Sequence, residues 1–296
     1  IGSTAPDCCP TLTRSDGFRV DEWGLVYRQV PHEFGVYQEV VDRPLKGISS
    51  TGELGQYCLP DPYARGRFDA ARDHSERYGD EYALLGVIEC TVFEMAWNLV
   101  GLEQFLVDMA LDKDYVGVLL DEIADYSIAV GRELIGLGAD IMLTGDDLGM
   151  DIGPMLSPKM WRKFFKPKLA EFIASLKAIN PEVKIAYHSD GHIYPIIPEL
   201  IEIGLDILNP IQPACMDPIQ IKKDFGNALC FWGTIDEQYT LPFGSATDVE
   251  AEVRQRLDTI GRDGGLIIGP THHVQLDTPM ENFWAMVNTI KKTPYN

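Results

Sequence analysis

Val183-Lys184-Ile185-Ala186-Tyr187-His188-Ser189-Asp190-Gly191 reads as a buried β-strand that runs straight into a polar loop. A short apolar run gives way at once to a histidine and an aspartate two positions apart. The construction recurs at Leu266-Ile267-Ile268-Gly269-Pro270-Thr271-His272-His273. If both strands belong to one parallel barrel, the side chains just past their C-terminal ends meet at one mouth.

Working outward, further apolar runs stand at Tyr82–Ile88, Ile141–Leu143, Leu205–Leu208 and Leu229–Trp232. Segments with helical periodicity separate them. Leu102, Phe105, Leu106 and Met109 share one face, as do Trp161, Phe165, Leu169, Phe172 and Leu176, and again Val249, Val253, Leu257 and Ile260. Ser157-Pro158 and Asp217-Pro218 each set a capping side chain before a proline suited to the first helical turn. Thr247 with Glu250, and Thr278 with Glu281, have the spacing of capping boxes. Gly204 and Gly261 stand where helices should stop. Strands alternating with helices over short connections predict an α/β fold, a (β/α)8 TIM barrel. Its two remaining strands must come from the N-terminal part, from upstream, or from unrecognised runs. Residues 1–80 are proline-punctuated, with a β-hairpin expected over Phe18–Tyr27, and read as a cap and the start of the barrel. Residues 81–296 supply its catalytic region, one domain overall.

The chain has 296 residues and a net charge of -20, from 45 acidic against 25 basic side chains. That charge repels phosphate backbones and argues against a nucleic-acid partner. No apolar run reaches the length that spans a bilayer, so no membrane association is expected. The six cysteines form no C-x-x-C pair, and their scatter suits a reducing cytoplasm. The first residue is Ile1 rather than Met, so an upstream segment is expected.

Polar residues cluster after the strand ends: Glu89 and Cys90, Asp146 and Asp147, His188 and Asp190, Asn209 and Gln212, Thr234 and Asp236, His272 and His273. His188 and Asp190 can both reach a metal just past a strand, with His272 as a distant third ligand, a set that suits Zn²⁺. In the alternative, His188 is a hydrogen-bonded pocket histidine and Asp190 caps the helix starting near His192. Asp146 and Asp147 form a tandem pair able to do acid/base work, unless one of them structures its own turn. Aromatic and methionine side chains, among them Trp97, Met150, Tyr187 and Trp232, supply material for an apolar pocket.

At these residues the chain resembles the uroporphyrinogen decarboxylase superfamily, in its corrinoid-dependent methyltransferase branch. The resemblance runs through Asp21-Glu22-Trp23-Gly24, Phe93-Glu94-Met95-Ala96-Trp97, Gly145-Asp146-Asp147-Leu148-Gly149, His188-Ser189-Asp190-Gly191, Asp206-Ile207-Leu208-Asn209-Pro210-Ile211-Gln212, Gly233-Thr234-Ile235-Asp236 and Gly269-Pro270-Thr271-His272-His273. It spans nearly the whole chain in order and implies a (β/α)8 barrel. Members that methylate a thiol carry zinc on a His-x-Cys pattern with a later Cys; here the corresponding places hold His188, Asp190 and His272. Loss of the soft sulfur ligands implies a harder Lewis acid, suited to polarising an ether oxygen, or else no metal at all, with Asp146 or Asp190 protonating the leaving oxygen. The resemblance therefore implies an O-demethylating methyltransferase. It would pass a methyl group from a small methoxylated compound, an aromatic methyl ether, to a Co(I) corrinoid on a partner protein. In that reading His188, Asp190, Asp146 and Asp147 are catalytic, and His188, Asp190 and His272 hold zinc. Glu94, Trp97, Met150, Tyr187, Asn209, Gln212, Trp232 and His273 bind the substrate, and a homodimer is expected. The alternatives are a methylamine, thioether or betaine donor, a thiol or folate acceptor, a decarboxylase-like enzyme, and a non-catalytic ligand- or corrinoid-protein-binding barrel. Decarboxylation of a porphyrinogen requires a basic cleft, and the acidic chain shows no arginine cluster near the strand ends.

Overall fold

A computed structural model describes residues 1–33 and 35–293. They gather into two compact units: residues 1–32, 36–146 and 159–185 in the first, and residues 33, 35, 147–158 and 186–293 in the second.

The first unit opens with four short strands, β1 (Leu12–Thr13), β2 (Arg19–Val20), β3 (Val26–His32) and β4 (Gly35–Asp42), ordered 1-2-3-4. Arg19 stands opposite Tyr27 and Val20 opposite Val26, which is the expected hairpin. Next, β5 (Leu85–Val87) pairs in parallel with β6 (Ile141–Gly145), Leu85 beside Ile141. Residues 1–2 add a parallel partner along β5: Val87 N–H donates to Ile1 O at 2.9 Å, and Gly2 bridges Val87. This supplies part of what the sequence pattern lacked. Between β5 and β6 lie α1 (Phe93–Val100) and the long α2 (Asp114–Gly136). Buried Tyr115, Leu119, Ile123, Ser127, Val130 and Leu134 recur along α2 at the three-to-four spacing that turns one face inward. Helix α3 (Lys166–Lys177) packs on α2. Gly131 permits the approach, because a Cβ there would lie 2.9 Å from Leu176 Cδ2.

The apolar face expected through Trp161, Phe165 and Leu176 is real, but it spans two helices. The first ends at Phe164 and α3 begins at Lys166, with Pro167 in its first turn. Proline has no N–H to continue the preceding ladder, so the periodicity survives while the helix does not.

In the second unit β7 (Gly149–Met150) and β8 (Gly153–Pro154) form a tight antiparallel pair. Strand β9 (Lys184–His188) begins in the first unit, where Lys184 N–H donates to Asp140 O, and ends in the second. It pairs in parallel with β10 (Ile207–Asn209), placing Asn209 beside His188. β10 pairs with β11 (Cys230–Trp232), and β11 with β12 (Leu266–Ile267), all parallel. Helix α4 (Pro218–Phe225) starts as expected, Asp217 accepting the N–H of Ile219. Helix α5 (Ala246–Thr259) packs on α6 (Met280–Lys292) around Ile235, Leu241, Val249, Val253 and Met286, the core of this unit.

Both expected capping boxes need correction. The box at α5 is Ser245 with Asp248, two residues before Thr247 and Glu250. At α6 Pro279 is the boundary residue and no side chain caps the helix, while Thr278 N–H turns back to Gln275 O. In each case the backbone turns earlier or later than side-chain spacing alone suggests. Among the described residues, no helix is long and apolar enough to cross a membrane.

Candidate active and metal site at the ends of the parallel strands

His188, the last residue of β9, has its ring fixed by the neighbouring strand. Its Nδ1 lies 2.7 Å from Asn209 Oδ1, and Asn209 Nδ2 donates to Trp232 O at 2.9 Å. With the amide nitrogen occupied on β11, Asn209 offers only its oxygen, so His188 Nδ1 carries the hydrogen and Nε2 keeps its lone pair. Nε2 stands 3.7 Å from Asp190 Oδ1 and 3.7 Å from Asp147 Oδ1. An acceptor that holds the far ring nitrogen and fixes the tautomer is the usual arrangement behind a metal-ligating imidazole.

Two loops present the carboxylates. Asp190 N–H donates to Asp147 Oδ1 at 2.9 Å, Leu148 N–H to Ser189 Oγ at 3.0 Å, and His192 N–H to Met150 O at 2.8 Å. Glycines make the approach feasible: a Cβ on Gly149 would sit 2.4 Å from Asp190 O, and one on Gly191 2.5 Å from Gly149 C. Gly191 also has φ +79°, a conformation open to glycine and costly for other residues. Its N–H donates to Gln212 Oε1 at 2.6 Å, which fixes that buried amide.

The third group follows β12. Thr234 N–H donates to Gly269 O and Thr271 N–H to Ile235 O, tying the two loops together. The His272 ring then lies 5.5 Å from His188, centroid to centroid, and 4.7 Å from His273. One ligand atom each from His188, Asp190 and His272 falls within 4.8 Å of the others. The convergence expected from strand ends far apart in sequence is therefore present.

These residues fit a divalent metal. Asp190 Oδ1 is buried without a hydrogen-bond partner, an expense that a cation would remove. Two imidazoles and a carboxylate are ordinary zinc donors. Burial first, and then the Asp147 charge, push the Asp190 carboxyl above its usual range, against the pull of His188 and His272. Burial likewise pushes His272 below the usual imidazole value, favouring the neutral ring a metal needs.

Glu237 was not singled out from sequence. It accepts the His272 N–H, and its Oε2 is buried and unpartnered. Burial, reinforced by Asp190, raises its carboxyl to about 7. The neighbouring Asp236, which the sequence did suggest, instead accepts the N–H groups of Gln238 and Thr240 and structures its own turn. Among the described residues, no lysine or arginine pairs with Asp147, Asp190 or Glu237.

The remaining candidates divide between the units. Asp146 is buried in the first unit, and its Oδ1 accepts the N–H groups of Val92 at 3.2 Å and Glu94 at 2.9 Å, fixing the start of α1. Glu94 and Trp97 lie half-buried along that helix. In the second unit Met150 and His273 are exposed and Trp232 is half-buried at the end of β11. Tyr187 is 2% exposed and, adjacent to His188 along β9, points to the opposite face of the strand.

Comparison with known proteins bears on the family and the fold. Methylcobamide:CoM methyltransferase MtaA of Methanosarcina barkeri is 23% identical over 213 residues, 72% of this chain and 59% of that protein. The match thus spans about three-fifths of that relative's length. Methylcobamide:CoM methyltransferase MtbA of Methanosarcina mazei is 22% identical over 258 residues, 86% of this chain and 72% of that protein. A solved methyltransferase from Methanosarcina mazei superposes with a TM-score of 0.70 at 19% identity, covering 92% of this chain and 76% of the other. At that identity the likeness shows the fold, and the fold is the (β/α) barrel that alternating strands and helices predict. The profile of the uroporphyrinogen decarboxylase (URO-D) family matches residues 47–293, and to that family this chain belongs.

Proposed function

We propose that the protein is a corrinoid-linked methyltransferase that removes the methyl group of a small methoxylated compound, an aromatic methyl ether. The carrying observation is the sulfur-free convergence of His188, Asp190 and His272. Those three residues would hold zinc, which supplies Lewis-acid polarisation of the ether oxygen. A reduced corrinoid on a separate protein is the methyl acceptor. The chain's own contribution is positional. Asn209 aims His188, the Gly149–Gly191 contact sets Asp190 beside Asp147, and Asp147 is assigned to binding a polar group of the methyl donor. Met150, Gln212, Trp232 and His273 are assigned to the methyl donor. Asp146, with its carboxylate engaged by backbone N–H groups, is assigned to fixing α1 rather than to proton transfer.

Decarboxylation of a polycarboxylate, the activity that gives the family its name, suits this site poorly. Asp147, Asp190 and Glu237 have no paired lysine or arginine among the described residues, and an acidic cluster repels such a substrate. A second reading, methylation of a thiol, is supported by the names of the Methanosarcina relatives. Against it stands the absence of cysteine from the cluster, since thiolate ligands suit thiol activation.

The test offers methoxylated aromatics, methylamines, methyl thioethers and thiol acceptors together with corrinoid protein, and follows the cobalt absorption. Methoxylated aromatics should consume the Co(I) form, and His188→Ala should slow that reaction at least ~10²-fold with an unchanged circular dichroism spectrum. Turnover confined to thiol acceptors, or an undiminished rate in His188→Ala, contradicts the reading.

A further inference from the structure

Strand β4 (Gly35–Asp42) ends the antiparallel sheet β1-β2-β3-β4, and among the described residues no strand lies along its outer side. Such an edge offers a row of backbone N–H and C=O groups to any second strand. Val40 O accepts from Arg43 Nη1 at 3.4 Å, so the Val40 carbonyl points away from β3. Alternation along the strand then turns the backbone groups of Val36 and Gln38 outward as well. We infer that this edge docks a second copy of the chain, β4 pairing antiparallel with its counterpart about a two-fold axis at Gln38.

The strip is unguarded. Between Gly35 and Val41 there is no lysine and no proline, the residues that ordinarily blunt a sheet edge. Val36 is 58% exposed, Tyr37 53% and Val41 37%, so apolar side chains stand in solvent on both faces of the strand. Charge selects the occupant. A chain of net charge -20 repels its own copy over most of its surface. Along this strip the one charged side chain is Glu39, and Arg28 of β3 matches it at 2.7 Å. Here two copies can meet without opposed charge. The strip is also self-complementary about Gln38. An antiparallel pair centred there sets Val36 opposite Val40 of the second copy and Gln38 opposite itself, each Gln38 N–H donating to the other's C=O. Centring on Glu39 opposes two carboxylates, and centring on Tyr37 shortens the overlap. The paired stretch is far shorter than the ~20–30 residues a side of a standard interface, so the dimer is weak and reversible.

Sedimentation velocity of the full chain at physiological salt, over a range of protein concentrations, tests this. The parent should pass from monomer to dimer with half-association at ~10–100 μM. Gln38→Pro removes only an outward N–H, which an edge strand tolerates. It should weaken association at least ~10-fold with an unchanged circular dichroism spectrum. Gln38→Glu and Gln38→Lys each set like charges opposite one another and should weaken association at least ~3-fold. Their equimolar mixture should associate at least as tightly as the parent, because the opposed charges then attract. Should Gln38→Pro alter the spectrum, the charge-exchange mixture decides alone. A parent that stays monomeric up to ~300 μM overturns the inference. So does a dimer that a well-folded Gln38→Pro leaves intact, since it would use another face. Charged variants that associate as the parent does, or a mixture no tighter than either variant alone, overturn it too.

Discussion

Asn209 shows how one amide sets the chemistry of a neighbour. By giving its nitrogen to Trp232 O it can only accept from His188, and the imidazole is left with one tautomer and one direction. Asn209→Ala should therefore leave the ligand set complete yet lower zinc affinity by ~10–100-fold, read by chelator competition. Unchanged affinity would show that the ring needs no such anchor. The residue scale is also where sequence reading met its limit. His188, Asp190 and His272 were legible because each follows an apolar strand within a few residues. Asp236 and Glu237 were not separable, because the backbone path after Gly233, at φ +74°, decides which carboxylate turns inward. Nothing in the order of two adjacent acids reports that path.

Elements carry the next layer. The loops after β6 and β9 touch through bare glycine backbone, so their distance is fixed by the absence of a Cβ. Gly191→Ala places a methyl group 2.5 Å from Gly149 C at a positive φ, and should cost ~1–3 kcal/mol in denaturant unfolding. The separation of Asp190 from Asp147 should change with it, so metal affinity falls in the same variant. A stable Gly191→Ala protein with parental affinity would refute that coupling. Strands at this scale were readable because turn residues bound each apolar run. Helix limits were less so: Pro167 splits one amphipathic face into two helices, and the α5 box sits at Ser245 and Asp248, because caps follow the chain's turns rather than side-chain spacing.

Across the whole molecule, the charge of -20 makes each buried cation conspicuous. Arg67 is bound by both oxygens of Glu22 and holds the Asp21-Glu22-Trp23-Gly24 turn against the rest of the first unit. Arg67→Ala strands a buried carboxylate and should destabilise the fold by ~3–5 kcal/mol, measured by denaturant unfolding. A loss under ~1 kcal/mol would mean that water reaches Glu22 freely. The alternation that predicts a (β/α) barrel was visible in the sequence. The contribution of residues 1–2 beside β5 was not, since two residues carry no periodicity. The account rests on a cluster that binds metal without sulfur, and X-ray absorption at the zinc edge of the reconstituted protein tests that directly. It predicts about one zinc per chain with a nitrogen and oxygen shell near ~2.0–2.1 Å. A sulfur shell near ~2.3 Å, or no retained zinc, would contradict it.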